Sequence, residues 1–466
     1  MQVLANLYGI GGVTASNSLW KCEFDRGDRH EALLGSRRQS REAMTSSAAE
    51  LAEAYDELKG LRTANRDRFA ARRPLLSRAS LEPVLAGLGI TRVGDLTGLD
   101  DLDIPVWFAA RPASRSLCVS NGKGVTHEAA WISAVMESAE QAIAEEASAL
   151  VALVESPAGL ARRGLRSVPL ERQSRCAARR LSPEQNLAWV KGMSWATGEA
   201  VFAPYELVGM DMVTSAPWDV EHFRMTSLGL ASGCDLEGAI LHGLRELVEE
   251  DAMFGPLASG AAASRRDMDF RRHGADGLAW TIDRLAESGV EARFADVTDE
   301  IAMPAVLAAL RPRQSGTSDP AGPSDPAYFC GSACRSTVED AALAALLEAV
   351  QSRLTFISGA RDDLYADEYG RRLKPGTQVL FGGYNFTEAS IGDGGTEIGQ
   401  SELDRLTAKV FAADIPDIYV FPLGGRSHGF DVARILADDL VSLQDVDGYA
   451  RSGRAGRKLL RQWVRA

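Results

Sequence analysis

The sequence predicts a soluble globular chain of mixed helices and strands, on three observations. Apolar residues fill 45% of 466 positions, enough for a sizeable core in one large elaborated domain or a few lobes. Helical and strand periodicities alternate along the chain, and three of the helical stretches carry one acidic signature at a fixed spacing.

Taken in order, residues 1–80 read as an extension without clear periodicity up to Met44, a candidate start, followed by a polar, alanine-rich surface helix over Ser46–Ala71. The globular domain is expected over 81–466. It opens with Leu85, Leu88, Ile90 and Val93 in a short helix, then Ile104, Val106 and Phe108 in strands. Residues 156–183 hold seven arginines and the single acid Glu171, which reads as an exposed loop, either solvated or a dock for an acidic partner. A second exposed connection spans 311–327, rich in Pro, Ser and Gly. Val379–Phe386 and Ile418–Leu423 read as strands on either side of a turn-rich loop, Gly392–Gly399.

The bulk chemistry excludes several functions. A net charge of −13, from 51 basic and 64 acidic residues, speaks against nonspecific nucleic-acid binding. No uninterrupted apolar run reaches the roughly 18 residues of a membrane helix, so the expected location is the cytoplasm. Six scattered cysteines predict reduced thiols, and the close pair Cys330 and Cys334 reads as buried thiols rather than a zinc site.

The acidic signature emerges when Gly124–Gln141 (GVTHEAAWISAVMESAEQ) is laid over Gly233–Glu250 (GCDLEGAILHGLRELVEE). Gly124 meets Gly233, Glu137 meets Glu246 and Glu140 meets Glu249. Thr126 and Asp235 are the expected N-caps. A third helix, Thr337–Ile357, opens with a capping box from Ser336 to Glu339 and carries Glu348 and Gln351 at the same spacing. Residues three apart share a helical face, so each helix projects two oxygen-bearing side chains in one direction. One such pair reads as a solvated face. Three pairs in apolar surroundings read as a magnesium site, because crowded carboxylates repel unless cations intervene. Ser120–Gly124 (SNGKG) lacks Walker spacing and reads as a tight turn, with an anion-binding alternative. His242, four residues before Glu246, reads as a packed residue rather than a metal ligand.

These helices, with GITRVGDLTGLDDLDIPVWFAARP (Gly89–Pro112), FAPYELV (Phe202–Val208), GLASG (Gly229–Gly233), AILHGLRELVEEDA (Ala239–Ala252) and EAVQSR with GARDD (Glu348–Asp363), resemble the YcaO family, in particular members associated with TfuA proteins. The resemblance implies an α+β, YcaO-type fold with mixed sheets, unlike P-loop or kinase folds, with acidic helices around a site for ATP and Mg2+. It assigns Lys123, Ser133, Glu137, Glu140, Glu246, Glu249, Glu348, Gln351 and Arg353 to ATP, and Glu137, Glu140, Glu246 and Glu249 also to metal. The sequence departs from the family pattern at Leu228 and Cys234, where Asn is usual, and at Gly238, where an acid is usual. Gln141 and Glu250 replace arginines, and Leu436–Leu440 (LADDL) replaces a VPGL pattern while Arg434 is retained.

The implied activity is ATP-dependent modification of peptide backbone amides, giving a thioamide in preference to an azoline. The alternatives are a scaffold without ATP turnover and an accessory factor for ribosomal protein methylthiolation. No residue is assigned as nucleophile. Expected partners are a peptide substrate and a TfuA-like or leader-binding protein, with no nucleic acid or membrane; the oligomeric state is open, a homodimer included. The basic terminus Arg457–Ala466 reads as an amphipathic helix with Leu459, Leu460 and Trp463 on one side.

Overall fold

A computed structural model describes residues 41–63, 75–177, 180–259, 266–268, 270, 276–312, 329–364, 401–442 and 453–465. The expected strand Val379–Phe386, the loop Gly392–Gly399 and most of the 311–327 connection lie outside these residues.

Three antiparallel sheets organise the chain. The first is the meander β1 (Arg92–Asp95), β2 (Val106–Ala110) and β3 (Val119–Lys123), with Val106 opposite Lys123. The second contains β4 (Val151–Glu155), β5 (Leu187–Ser194), β6 (Ala200–Pro204), β7 (Leu230–Gly233), β12 (Ile418–Gly424) and β13 (Asp431–Ala437). Its order is β4-β5-β12-β13-β7, with β6 also paired to β5. The third comprises β8 (Arg266–Met268), β9 (Val290–Asp296), β10 (Ala305–Pro312) and β11 (Phe329–Cys334), in the order β11-β10-β9-β8. The long helices are α1 (Arg41–Arg62), α2 (His127–Ala144), α3 (Leu236–Ser259), α4 (Asp276–Glu287), α5 (Val338–Ser358), α6 (Glu402–Ala412) and α7 (Gly453–Arg465).

The acidic helices are α2, α3 and α5, and each follows the terminal strand of a different sheet: β3, β7 and β11. The caps fix where each helix starts. Thr126 accepts a bond from the Ala129 N–H at 3.2 Å and Asp235 one from Gly238 at 2.8 Å. For α5 the cap is Thr337, bonded to the Asp340 N–H, one residue later than the expected capping box. Glycine lets strand and helix close up: a Cβ on Gly122 would sit 2.0 Å from the Ala134 nitrogen, and one on Gly331 would sit 2.4 Å from the Ala345 oxygen. The strand β3 therefore occupies the SNGKG segment that was expected to be a turn. By length and composition α5 could cross a membrane, yet it packs on β10 and β11 with more than half of its apolar window buried.

Three expectations about the periphery need correction. Helix α1 is not a surface helix: Ala54, Leu58 and Leu61, at a helical spacing, are buried in the core shared with α3 and β12. Segment 156–183 is largely built rather than loop. Pro157–Arg162 forms a helix capped by Ser156, and Cys176 bridges to Phe223. Two of its arginines find acids that are remote in sequence: Arg166 meets Asp417 at 3.3 Å and Arg172 meets Asp439 at 3.1 Å. A local charge count cannot see such partners. In α7 the inward face carries Ala455 and Leu459 together with buried Arg454 and Lys458, which grip Asp251 of α3, whereas Leu460 is 68% exposed.

Candidate nucleotide and metal site

The three strand–helix units close into a ring through the second member of each acidic pair. Glu140 of α2 accepts from the N–H and hydroxyl of Ser232 on β7, at 2.9 and 2.7 Å. Glu249 of α3 accepts from the Ser332 hydroxyl on β11 at 2.6 Å. Gln351 of α5 donates to the Asn121 carbonyl on β3 at 2.7 Å. Each helix thus lies on its own strand and reaches the strand of the next unit. The 109-residue repeat between the first two helices is the sequence trace of this arrangement.

Within the ring lies a cavity of about 220 Å³, lined by Lys123, His242, Glu246, Glu249, Ser332, Arg335 and Glu348, with Thr226–Leu228 as one wall. Lys123 Nζ stands 3.4 Å from Glu348, and the Gly229 N–H donates to Glu246 at 3.1 Å. Burial, then the neighbouring Glu137, push the Glu140 carboxyl up to about 8 despite the bonds from Ser232. Burial and Glu348 raise Glu249 to about 8, and burial with Glu140 and Glu249 raises Glu246 well above the carboxylate range. Glu137 is raised chiefly by burial, against the pull of Arg361 and Lys123. His242 is held down at about 4 by burial and Arg335, so its ring is neutral, 3.8 Å from Glu246.

Of the residues singled out from sequence, Lys123, Glu246, Glu249 and Glu348 meet at the cavity. Glu137 and Glu140 adjoin it within electrostatic reach of Lys123, Glu348 and Glu246. Ser133 lies on the Glu137 face of α2, half-buried, and Gln351 spans to β3. Arg353 is not brought in: its guanidinium forks onto Asp100 at 2.6 and 3.0 Å and covers the Phe329 ring. Two residues apart on a helix, Gln351 and Arg353 project about 200° from one another. Arg335, Arg361, Ser232 and Ser332 were missed. Arg335 stands in the β11–α5 junction, the position that corresponds to Gly124 in the first unit, and that parallel was the available signal. Among the departures, Leu228 lines the cavity, Gln141 turns away to Ser116, and Glu250 takes the Ser442 hydroxyl.

The donor set fits a magnesium–phosphate group. Desolvated carboxylates that raise one another's pKa gain most from a cation, and the oxygens with Lys123 and Arg335 suit Mg2+ and anionic phosphate together. Among the described residues no three histidine, cysteine, aspartate or glutamate side chains form a cage for a metal ion. Magnesium is commonly held by one or two carboxylates that share the ion with substrate phosphates and water. Drug-sized pockets begin at about 300 Å³. A cavity of about 220 Å³ suits the polyphosphate end of a nucleotide rather than the whole molecule.

Comparison with known proteins places this geometry. The chain is 38% identical over 299 residues, 64% of its own length and 70% of the relative's, to an uncharacterized protein encoded in the tfuA 3' region of Rhizobium leguminosarum bv. trifolii. Its fold matches YcaO from Methanopyrus kandleri, solved with AMPPCP and Mg2+, with a TM-score of 0.59 at 20% identity over 78% of this chain and 89% of the other. It also matches a heterocyclase solved with substrate and cofactor, with a TM-score of 0.63 at 16% identity over 84% of this chain, which spans only 56% of that protein. The α+β architecture expected from the sequence is that shared fold. Residues 121–441 match the model of the YcaO cyclodehydratase family, described as binding ATP and Mg2+, and the chain belongs to that family.

Proposed function

We propose that this chain activates backbone amides of a peptide by ATP- and magnesium-dependent phosphorylation of the amide oxygen. The observation that carries the reading is the closed ring of three strand–helix units, which converges carboxylates and two cations on one cavity. An amide oxygen is a poor leaving group because resonance stabilises the peptide bond. ATP, when bound, supplies the phosphoryl group with which that oxygen departs after a nucleophile has added to the carbonyl carbon. Glu137, Glu140, Glu246 and Glu249 would supply the carboxylates, one or two to each magnesium ion with phosphate oxygens and water completing the shell, while Lys123, Ser133, Glu348 and Gln351 would complete the nucleotide site. Positioning and charge neutralisation are most of what phosphoryl transfer asks of a protein, so no enzyme nucleophile is required.

The favoured product is a thioamide, in keeping with the relative from a tfuA region. A separate TfuA-like or leader-binding protein presents the peptide. Mass spectrometry of the neighbouring gene's peptide, after incubation with chain, partner, MgATP and sulfide, separates the products: a thioamide exchanges oxygen for sulfur, and an azoline loses water. Dehydrated product alone, formed without sulfide, overturns the thioamide assignment.

One observation favours a second reading, a scaffold that does not turn over ATP: the apolar Leu228 lines the cavity wall. Leu228→Asn, with Cys234→Asn and Gly238→Glu, raises nucleotide affinity if the pocket has decayed. A loss of already tight affinity on these changes marks a remodelled, working pocket.

A further inference from the structure

Two arginines are buried beside the site with no carboxylate in ion-pair contact among the described residues. Arg434 on β13 is 0% exposed and Arg175 is 4% exposed. Their hydrogen bonds go to backbone carbonyls. Arg434 donates to Val208 at 2.9 Å, Leu228 at 2.8 Å and Gly209 at 3.5 Å. Arg175 donates to Leu207 at 2.7 Å and Thr226 at 3.5 Å.

The accepting groups fall in two short segments. Leu207, Val208 and Gly209 are the C-terminal end of the helical turn Tyr205–Val208, whose last carbonyls have no helical partner. Thr226 and Leu228 belong to the cavity wall. The next residue continues that wall into the site: the Gly229 N–H donates to Glu246, and its carbonyl accepts from Ile435 at 2.7 Å. Two guanidiniums therefore tie the wall to the FAPYELV motif on one side and β13 on the other.

Burying two cations side by side is costly unless something repays the desolvation. Arg175 and Arg434 repel each other, and the groups that favour the charged Arg434 are Glu246, which lines the cavity, Glu140, which adjoins it, and Tyr205. A Lys or apolar pair would fill this space without matching several carbonyls at once; the planar fork of Arg does match them.

We propose that Arg434 and Arg175 are positioning residues that fix the 226–229 wall against Glu246, so that the cavity keeps its shape when metal and phosphate enter. This rests on the nucleotide reading above, and the experiment separates the two. The probe is MgATP, titrated calorimetrically into the full chain, its Arg434→Lys and Arg175→Lys variants, and Arg434→Met. The wild type is expected to bind, with affinity lower by roughly 10-fold or more in both Lys variants, as for other groups that orient metal ligands. In turnover assays KM for ATP should rise while kcat is largely kept. A purely structural role lowers the unfolding temperature and leaves KM of the folded protein unchanged. Wild-type affinity in folded Lys variants overturns the clamp, whereas a wild type that does not bind MgATP overturns the nucleotide reading instead. Should the Arg434 variants fail to fold, Arg175→Lys and hydrogen exchange of the unaltered chain still decide. Exchange at 226–229 should slow on adding MgATP, and unchanged exchange there in a chain that binds MgATP overturns the proposal.

Discussion

Glu140 and Glu249 are received by serine donors, whereas Gln351 is received by the Asn121 backbone carbonyl. That exchange of donor for acceptor accounts for the one amide among the three helices. A carboxylate at 351 would face a carbonyl oxygen and repel it, and an amide supplies the N–H that the junction needs. The junction of units three and one is also the less satisfied one: Gln351 Oε1 and Asn121 Oδ1 are buried without a hydrogen-bond partner among the described residues. Units one and two therefore bring two carboxylates each, whereas unit three closes the ring with one, Glu348, and an amide.

The largest expected effect tests the charged half of this contrast. Glu137→Ala or Glu246→Ala should reduce magnesium-dependent ATP binding below calorimetric detection while the fold persists, since each removes an oxygen ligand and one of several repelling carboxylates. Unchanged affinity in both variants breaks the three-helix site. Next comes the neutral half. Gln351→Glu should lower unfolding stability by about 1–3 kcal/mol, the range for a buried polar group that loses its partner. Glu140→Gln keeps an acceptor for Ser232 and should cost the fold little. Denaturant titration of the two variants decides, and equal stability removes the donor–acceptor account. Smaller again, Ser232→Ala and Ser332→Ala should each weaken metal-dependent binding by roughly 10-fold without unfolding the chain, as expected for groups that orient ligands.

How much of this was legible in the sequence differs between the same regions. The 109-residue offset exposed Glu137, Glu140, Glu246 and Glu249 because helical spacing and a repeat are both one-dimensional signals. Gln351 was found by spacing too, but its reason for being an amide was not, since the Asn121 carbonyl stands 230 positions away. Long-range pairing likewise hid the partners of Arg166, Arg172 and Arg353. The N-terminal helix was misread for another cause: Ala54, Leu58 and Leu61 form a narrow apolar stripe inside a polar sequence, and only packing on α3 and β12 makes it core. The GLASG and FAPYELV motifs were recognised as family marks, yet the bonds that join them to the site, Gly229 to Glu246 and Val208 to Arg434, are a property of the folded chain.

The smallest expected effect concerns protons, and it again divides the units. Glu140 and Glu249 titrate at about 8 in the folded chain without metal, far above the value of about 4.3 for a free glutamate. A folded-state pKa raised in this way contributes stability that is full at acid pH and is lost as pH rises through the folded value. The metal-free fold should therefore weaken as pH rises from about 4.3 to about 8. Metal takes the deprotonated carboxylates, so magnesium-dependent ATP affinity should rise over the same window, and binding should release protons to the buffer. Calorimetry in buffers of different ionisation enthalpy measures that release. ATP itself also titrates near this range, so the comparison that matters is with Glu140→Gln, which removes one of the carboxyls in units one and two that titrate near 8. Its proton release should be smaller than the wild type's at the same pH. Gln351, being uncharged, contributes none. If the Glu140 variant releases as many protons as the wild type, the carboxylates of the ring are not the groups that metal displaces protons from, and the charged units lose the role that sets them apart from the third.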